Sequence, residues 1–291
     1  MLINLNGNLV KKEEAVVSVF DHGLLYGDGV FEGIRVYGGN IFRLNDHINR
    51  LFNSAKYIML KVSLSKKEMI DEVVRTVKAN NLRDGYLRLV VTRGPGDLGL
   101  DPAKCPKAFY FIIAAGITLY PEEYYEKGLS IITVPTRRNT SEALNPQVKS
   151  LNYLNNILAK IEAKNHNSLE AVMINNEGYV SEATGDNIFI VKDGVLITPS
   201  LHCGGLNGIT RRTVLEIAAK LKIKTREDVM TRYELYTADE CFLTGTAAKV
   251  IPVVNIDARE INGGKPGRVT GIIFREYMKL TKKMGVKAFK D

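Results

Sequence analysis

The sequence predicts a mixed α+β protein of two domains, and three observations carry that prediction. Apolar runs of strand character and stretches of helical spacing follow one another without strict alternation, which sets the chain apart from a repeating βα architecture. A tyrosine- and glutamate-rich stretch, Tyr120 to Gly128, breaks the composition near the middle. The boundary falls there, with residues 1–119 as an N-terminal α/β domain, 120–128 as a linker and 129–291 as a C-terminal domain. At 291 residues and 45% hydrophobic content the chain can bury a core in each part.

Residues 16–43 read as strands around turns, with Gly38-Gly39-Asn40 joining Val30–Val36 to Ile41-Phe42 as a hairpin. Ile48, Leu51, Phe52, Ala55, Ile58 and Met59 recur at helical steps, so a helix runs from about 46 to 59 with Arg50 at the edge of its apolar face. Ser65 with Glu68 forms a capping box for a second helix carrying Ile70, Val73, Val74 and Val77. Tyr86–Arg93 alternates, placing Tyr86 and Arg88 on one face and Leu87, Leu89 and Val91 on the other. The apolar run Ala108–Ala115 reads as a central strand covered on both sides.

Beyond the boundary, Leu129–Val134 is a strand, and Leu151, Leu154, Ile157, Leu158 and Ile161 form the inward stripe of a helix following Lys149. Asp193-Gly194 turns a hairpin between Asn187–Val191 and Val195–Ile197. A helix opening at Gly208-Ile209-Thr210 buries Val214, Leu215, Ala218 and Leu221. Cys241–Thr244, a turn at Gly245–Ala248, a strand over Val250–Ile256 and a helix through Ile272, Ile273 and Tyr277 complete the chain.

Composition excludes several classes of function. Met1–Gly7 carries neither a basic leader nor an apolar anchor, and no run approaches the ~18 residues a membrane span requires, so a cytoplasmic protein without a membrane role is expected. Cys105, Cys203 and Cys241 lie far apart, which indicates neither a disulfide framework nor a thiolate metal site. The net charge of +8 is scattered among acids, so it favours anionic small molecules over nucleic acid. His22, His47, His166 and His202 show no metal spacing and receive no chemistry. Arg93-Gly94-Pro95-Gly96-Asp97 reads as a loop over an active site.

The chemistry centres on Lys149, delivered by the irregular approach Asn145-Pro146-Gln147-Val148, and on Glu182 in an otherwise apolar strand. An amine held for covalent work and a carboxylate held apart from it suit a carbonyl cofactor such as pyridoxal phosphate. The amine must be available neutral, which partial burial near cations favours. The acid then keeps the ring nitrogen protonated, and the phosphate needs an anion site. Leu206-Asn207-Gly208-Ile209-Thr210-Arg211-Arg212 is a glycine turn running into a helix, where free amides and the helix dipole converge. Gly245-Thr246-Ala247 offers a second nest, and Arg50 a fixed positive charge. Taken singly, each of these is an ordinary cap, turn or surface cation.

Together they carry a resemblance. Tyr26–Arg35, His47–Leu51, Tyr86–Arg88, Lys149–Tyr153, Val180–Ala183, Gly208–Arg211 and Thr244–Ala248 resemble, in order, the motifs of fold-type IV pyridoxal-phosphate enzymes, most closely the branched-chain amino acid aminotransferases. The likeness runs from near residue 20 to near residue 250. It implies the two-domain fold of the D-amino acid aminotransferase-like class, with the cofactor pyridoxal 5'-phosphate between the domains and the C-terminal domain binding it. It also implies that Lys149 is the Schiff-base lysine and proton shuttle, and that Glu182 pairs with the pyridine nitrogen. Arg50, Ile209, Thr210 and Thr246 hold the phosphate, Tyr153 the phenolic oxygen, and Leu206 packs on the ring.

The same resemblance lines the substrate pocket with Phe31, Gly33, Tyr86 and Arg88, gives the α-carboxylate to the amides of Thr246 and Ala247, and brings Tyr26 from a neighbouring subunit of a homodimer or larger homo-oligomer. The implied reaction is a ping-pong transfer of the amino group of L-Val, L-Leu or L-Ile to 2-oxoglutarate, giving glutamate. Asp28-Gly29 and Leu89–Arg93 lean toward the D-amino acid transaminases. Phe31–Arg35 has the branched-chain form, and Val90 stands where the D-enzymes carry a base. Aminodeoxychorismate lyase is the alternative on the same fold, and a non-catalytic phosphate- or nucleic-acid-binding protein the alternative outside it.

Overall fold

The computed structural model describes residues 1–117 and 119–289 of the chain. They form two compact units. The first holds Met1–Ile117, Val148–Asn152 and the C-terminal stretch from Leu280; the second holds the stretch ending at Gln147 and Tyr153–Lys279. A single cut at residues 120–128 leaves out both returns to the first unit. A break in composition marks where a chain leaves one core, whereas a five-residue extended segment that re-enters it, 148–152, has too few side chains to show a pattern.

In the first unit the elements are β1 (Leu2–Leu5), β2 (Asn8–Lys11), α1 (His22–Tyr26), β3 (Gly29–Tyr37), β4 (Asn40–Phe42), α2 (Leu44–Tyr57), α3 (Lys66–Ala79), β5 (Gly85–Thr92) and β6 (Phe109–Ala115). Ile48, Leu51 and Ala55 of α2 and Met69, Val73 and Val77 of α3 join Ile34, Val36, Leu87, Leu89 and Ile112 of the sheet in one core. Each of the larger side chains contributes about 1.5–3 kcal/mol on burial. The Ser65–Glu68 capping box forms as expected.

Three expectations are corrected in this unit. Residues 22–26 are helical because Asp21 accepts the Gly23 amide as N-cap and Gly27 closes the turn in the left-handed region. Met59 lies past the end of α2, 86% exposed at a φ of 51°, and so is not part of its apolar face. In β6 only alternate side chains are buried, the others being half-buried, so one face of that strand is less covered than an unbroken apolar run implies.

The second unit contains α4 (Glu123–Lys127), β7 (Leu129–Thr133), α5 (Ser141–Leu144), α6 (Leu154–Asn165), β8 (Ala171–Ile174), β9 (Val180–Ala183), β10 (Asn187–Lys192), β11 (Val195–Pro199), α7 (Ile209–Lys220), β12 (Thr225–Asp228), α8 (Arg232–Tyr236), β13 (Glu240–Gly245), β14 (Lys249–Ile256), β15 (Arg259–Glu260) and α9 (Arg268–Thr281). Its strands follow the order β12-β11-β10-β13-β14-β7-β8-β9, with β15 on β14. The β10–β11 hairpin turns at Asp193 and Gly194, both at positive φ, as expected. After α9 the chain adds β16 (Gly285–Lys287) to the first sheet, completing the order β16-β4-β3-β5-β6-β1-β2 with every pair antiparallel.

The apolar stripe expected to face inward on α6 faces outward. Leu154 is 67% exposed, Ile157 51%, Leu158 48% and Ile161 49%, while Asn156, Ala159 and Ala163 are buried. Small residues let α6 sit close to its unit, and that side wins over the larger stripe. In α7, Val214 and Ala218 are buried as expected, but Leu215 is half-buried and Leu221 exposed; Thr213 and Ile217 take the inner side. Among the described residues no helix is long and apolar enough to cross a membrane.

Candidate functional site

In the first unit, β3 and β5 pair so that Gly33 faces Arg88, Arg35 faces Tyr86 and Phe31 faces Val90. Directly paired residues share a sheet face, which places Phe31, Gly33, Tyr86 and Arg88 together. A Cβ at Gly33 would stand 1.8 Å from the Tyr86 hydroxyl, so only glycine lets the phenol lie across the strand. Arg88 donates to that hydroxyl at 3.3 Å, and its guanidinium lies 4.6 Å over the Phe31 ring.

Lys149 belongs to an extended segment laid along β3, not to a helix. Phe31 N donates to Lys149 O at 3.0 Å, Leu151 N to Gly29 O at 3.0 Å, and Lys149 N to Ser54 Oγ at 3.1 Å. Its backbone is therefore clamped between β3 and α2, and Nζ sits 4.4 Å over the Phe31 ring. An ammonium is attracted to the negative face of such a ring.

The other face of β3 carries Glu32, fully buried under α2. Arg50 grips it with Nε at 2.7 Å and Nη2 at 2.8 Å, and His47 Nδ1 lies at 2.7 Å. Burial opposes ionisation of Glu32, but Arg50 and then His47 outweigh it and take its pKa down to about 2. Burial likewise lowers His47, against the pull of Glu32 and with a contribution from Lys149. Since an ionised carboxylate only accepts, Nδ1 of His47 must carry the proton it shares with Glu32.

In the second unit Glu182, on β9, is held by Arg138 through Nε at 3.0 Å and Nη2 at 2.9 Å on one oxygen. The other oxygen accepts Leu206 N at 2.8 Å and Asn187 Nδ2 at 3.1 Å. Asn187 also donates to Leu206 O at 2.9 Å, tying the loop before α7 to the start of β10. A Cβ on Gly208 would lie 2.1 Å from Asn187 Oδ1, which fixes glycine as the N-cap. Gly208 brings no capping side chain, so among the described residues no N-cap side chain takes up the first-turn amides at Ile209 and the buried Thr210.

Thr246 and Ala247 form the turn between β13 and β14, and Thr244, on the sheet face it shares with its register partner Asn187, is buried with no hydrogen-bond partner for its hydroxyl among the described residues. An amine on an aromatic face, an anion gripped by a guanidinium, and a cradle of open donors fit pyridoxal phosphate in chemical kind.

The expected residues thus fall into two sets. Phe31, Gly33, Tyr86, Arg88 and Lys149 share a cluster in the first unit, with Arg50 attached through Glu32. Glu182, Leu206, Ile209 and Thr210 are linked in the second, with Thr246 and Ala247 in the turn beyond β13. Tyr26 donates instead to Leu98 O at 2.5 Å, and Tyr153 stands half-buried at the N-cap of α6. The loop Arg93–Asp97 packs on α1, where Gly94 O accepts His22 N at 3.1 Å. Glu32, His47, Arg138 and Asn187 receive no role from sequence reasoning. Glu32 does have a signal, an acid inside an apolar strand, which is the signal that exposes Glu182. Arg138 has none, since nothing in its spacing ties it to position 182.

A family model for class IV amino-transferases matches residues 29–256. A Methanocaldococcus jannaschii protein carrying a provisional branched-chain-amino-acid aminotransferase name is 51% identical over 291 residues, covering 100% of each chain. The crystal structure of the Escherichia coli branched-chain amino acid aminotransferase superposes with a TM-score of 0.94 at 35% identity, over 98% of this chain and 96% of that one. The branched-chain amino acid aminotransferase from Thermobaculum terrenum, in its PLP-bound holo-form, gives 0.88 at 32% identity, over 96% and 93%.

Proposed function

The chain belongs to the class IV amino-transferase family, and on that footing we propose that it is a branched-chain amino acid aminotransferase. It is a pyridoxal-phosphate-dependent transaminase. The observation that carries the substrate reading is the single face of β3 and β5 on which an amine, an aromatic wall, a glycine-made hollow and a tyrosine–arginine pair occur together.

When bound, pyridoxal phosphate supplies a ring into which the charge left by loss of an α-proton spreads. We assign to Lys149 Nζ the removal and return of that proton, first as base and then as acid. The backbone clamp on residues 149–151 restricts where Nζ can swing, which favours a fixed transfer geometry. Glu182, charge-paired with Arg138, is assigned the pyridine nitrogen, where it holds a proton in place. Ile209, Thr210 and Thr246 are assigned the phosphate, with Arg50 as a positive charge whose direction Glu32 sets. Tyr153 is assigned the phenolic oxygen and Leu206 the ring face.

A branched side chain suits the hollow left by Gly33 beside Phe31. Tyr86 and Arg88 are assigned the second carboxylate of 2-oxoglutarate or glutamate, and the amides of Thr246 and Ala247 the α-carboxylate. We place the enzyme in the cytoplasm, in keeping with three free cysteines, and take a homodimer as its smallest working unit. Support for the dimer comes from apolar surface left open: the α6 stripe, and Val16, Val17, Val19, Phe20, Leu24 and Leu25 around Tyr26.

The test is a screen of L- and D-amino donors against 2-oxoglutarate, read as glutamate formed. Val, Leu and Ile lead if the reading is right. Preference for a D-amino acid, or pyruvate release without an acceptor, points to the D-transaminase or the lyase instead.

A further inference from the structure

Between β7 and the β9–β10 turn the second unit buries two carboxylates around one phenol. Tyr120 Oη lies 3.2 Å from Glu170 Oε2 and 3.1 Å from Asp186 Oδ2, and none of the three residues is more than 5% exposed. Glu170 is furnished as an anion: Ala171 N donates at 2.8 Å, Thr184 N at 3.1 Å, the Thr184 hydroxyl also donates, and Lys160 Nζ lies at 3.0 Å. The Asp186 carboxyl, by contrast, meets the Tyr120 phenol and no cation among the described residues.

A phenol carries one proton and can serve only one acceptor at a time. Both contacts are hydrogen bonds only when a second proton is present, so that Asp186 donates to Tyr120 and Tyr120 to Glu170. We propose that Asp186 is a positioning residue that holds the β9–β10 turn in its protonated form, and that loss of this proton loosens the turn joining Glu182 to Asn187. The turn is closed by Ala183 N donating to Asp186 O at 2.8 Å, and a Cβ on Gly245 would meet Asp186 Oδ1 at 1.8 Å. One acid thus touches both the strand of Glu182 and the residue before Thr246.

The groups facing Asp186 agree. Burial, then the negative charge of Glu170, pushes its carboxyl up to about 7; Tyr120 and Lys160 oppose this and Glu182 adds to it. Burial and the same two carboxylates push the Tyr120 phenol up, so it keeps its proton throughout. Because the folded-state value is raised, the stabilising contribution is full below the ordinary aspartate value of 3.8 and is lost as pH rises through about 7.

The inference rests on the transaminase reading only for its effect at the site; its primary readouts do not. The purified full-length chain, with and without pyridoxal phosphate, is melted from about pH 4 to about pH 9 beside Asp186→Asn, whose amide imitates the protonated acid. The parent is expected to lose melting temperature between about pH 4 and 7 to a degree that Asp186→Asn does not. Infrared spectra are expected to show a protonated-carboxyl band near neutral pH that is missing from Asp186→Asn and titrates at lower pH in Glu170→Gln. The pH profile of kcat/KM should lose one ionisation in Asp186→Asn. Parallel melting profiles for parent and Asp186→Asn, or a carboxyl band unmoved by Glu170→Gln, overturn the proposal, whatever the amino donor proves to be.

Discussion

A carboxylate without solvent contact, such as Glu32, persists only where fixed donors replace its hydration. Arg50 and His47 do so, and the consequence is measurable in two ways. Because its folded pKa is lowered from 4.5 to about 2, Glu32 stabilises the fold above pH 4.5, and that contribution of about 3 kcal/mol is lost as pH falls through that window. Glu32→Gln removes the buried carboxylate that pairs with Arg50 and His47, a change that costs about 3–5 kcal/mol in denaturant unfolding. It is also expected to weaken retention of the cofactor, because Arg50 loses the bidentate carboxylate that sets its direction. At Gly33, substitution by Ala pushes against the Tyr86 hydroxyl. Gly33→Ala is expected to raise KM for Leu and for 2-oxoglutarate with little change in melting temperature.

Among the elements, α6 carries its larger apolar residues outward. A helix that exposes Leu154, Ile157, Leu158 and Ile161 while burying alanines leaves an apolar face open, and that face is the one assigned to the proposed dimer contact. Ile157→Glu with Ile161→Glu is expected to shift the sedimentation coefficient toward the monomer while circular dichroism stays unchanged. An unaltered oligomer with the same spectrum sinks that use of the helix. For α3, the capping box makes Ser65→Ala worth about 1 kcal/mol in unfolding free energy, with no effect on activity expected.

On the scale of the whole molecule, the mixed fold, its main hairpins and the paired faces of β5 are legible in the sequence, because period-2 and helical patterns survive wherever one face is buried. Two glycines within the motifs, Gly33 and Gly208, stand where a side chain would meet Tyr86 and Asn187. What is not legible shares one cause. The outward stripe of α6, the return of 148–152 to the first unit and the grip of Arg138 on Glu182 are set by partners distant in the chain, which no local pattern records.

We propose that one amine, that of Lys149, carries the cofactor's aldehyde. Borohydride reduction of the cofactor-loaded enzyme, followed by digestion and peptide mass spectrometry, tests it directly. A pyridoxyl label is expected on the peptide containing Lys149, and its absence, with loss of the yellow colour, in Lys149→Ala. A label on another lysine, or a coloured Lys149→Ala enzyme that keeps full activity, contradicts it.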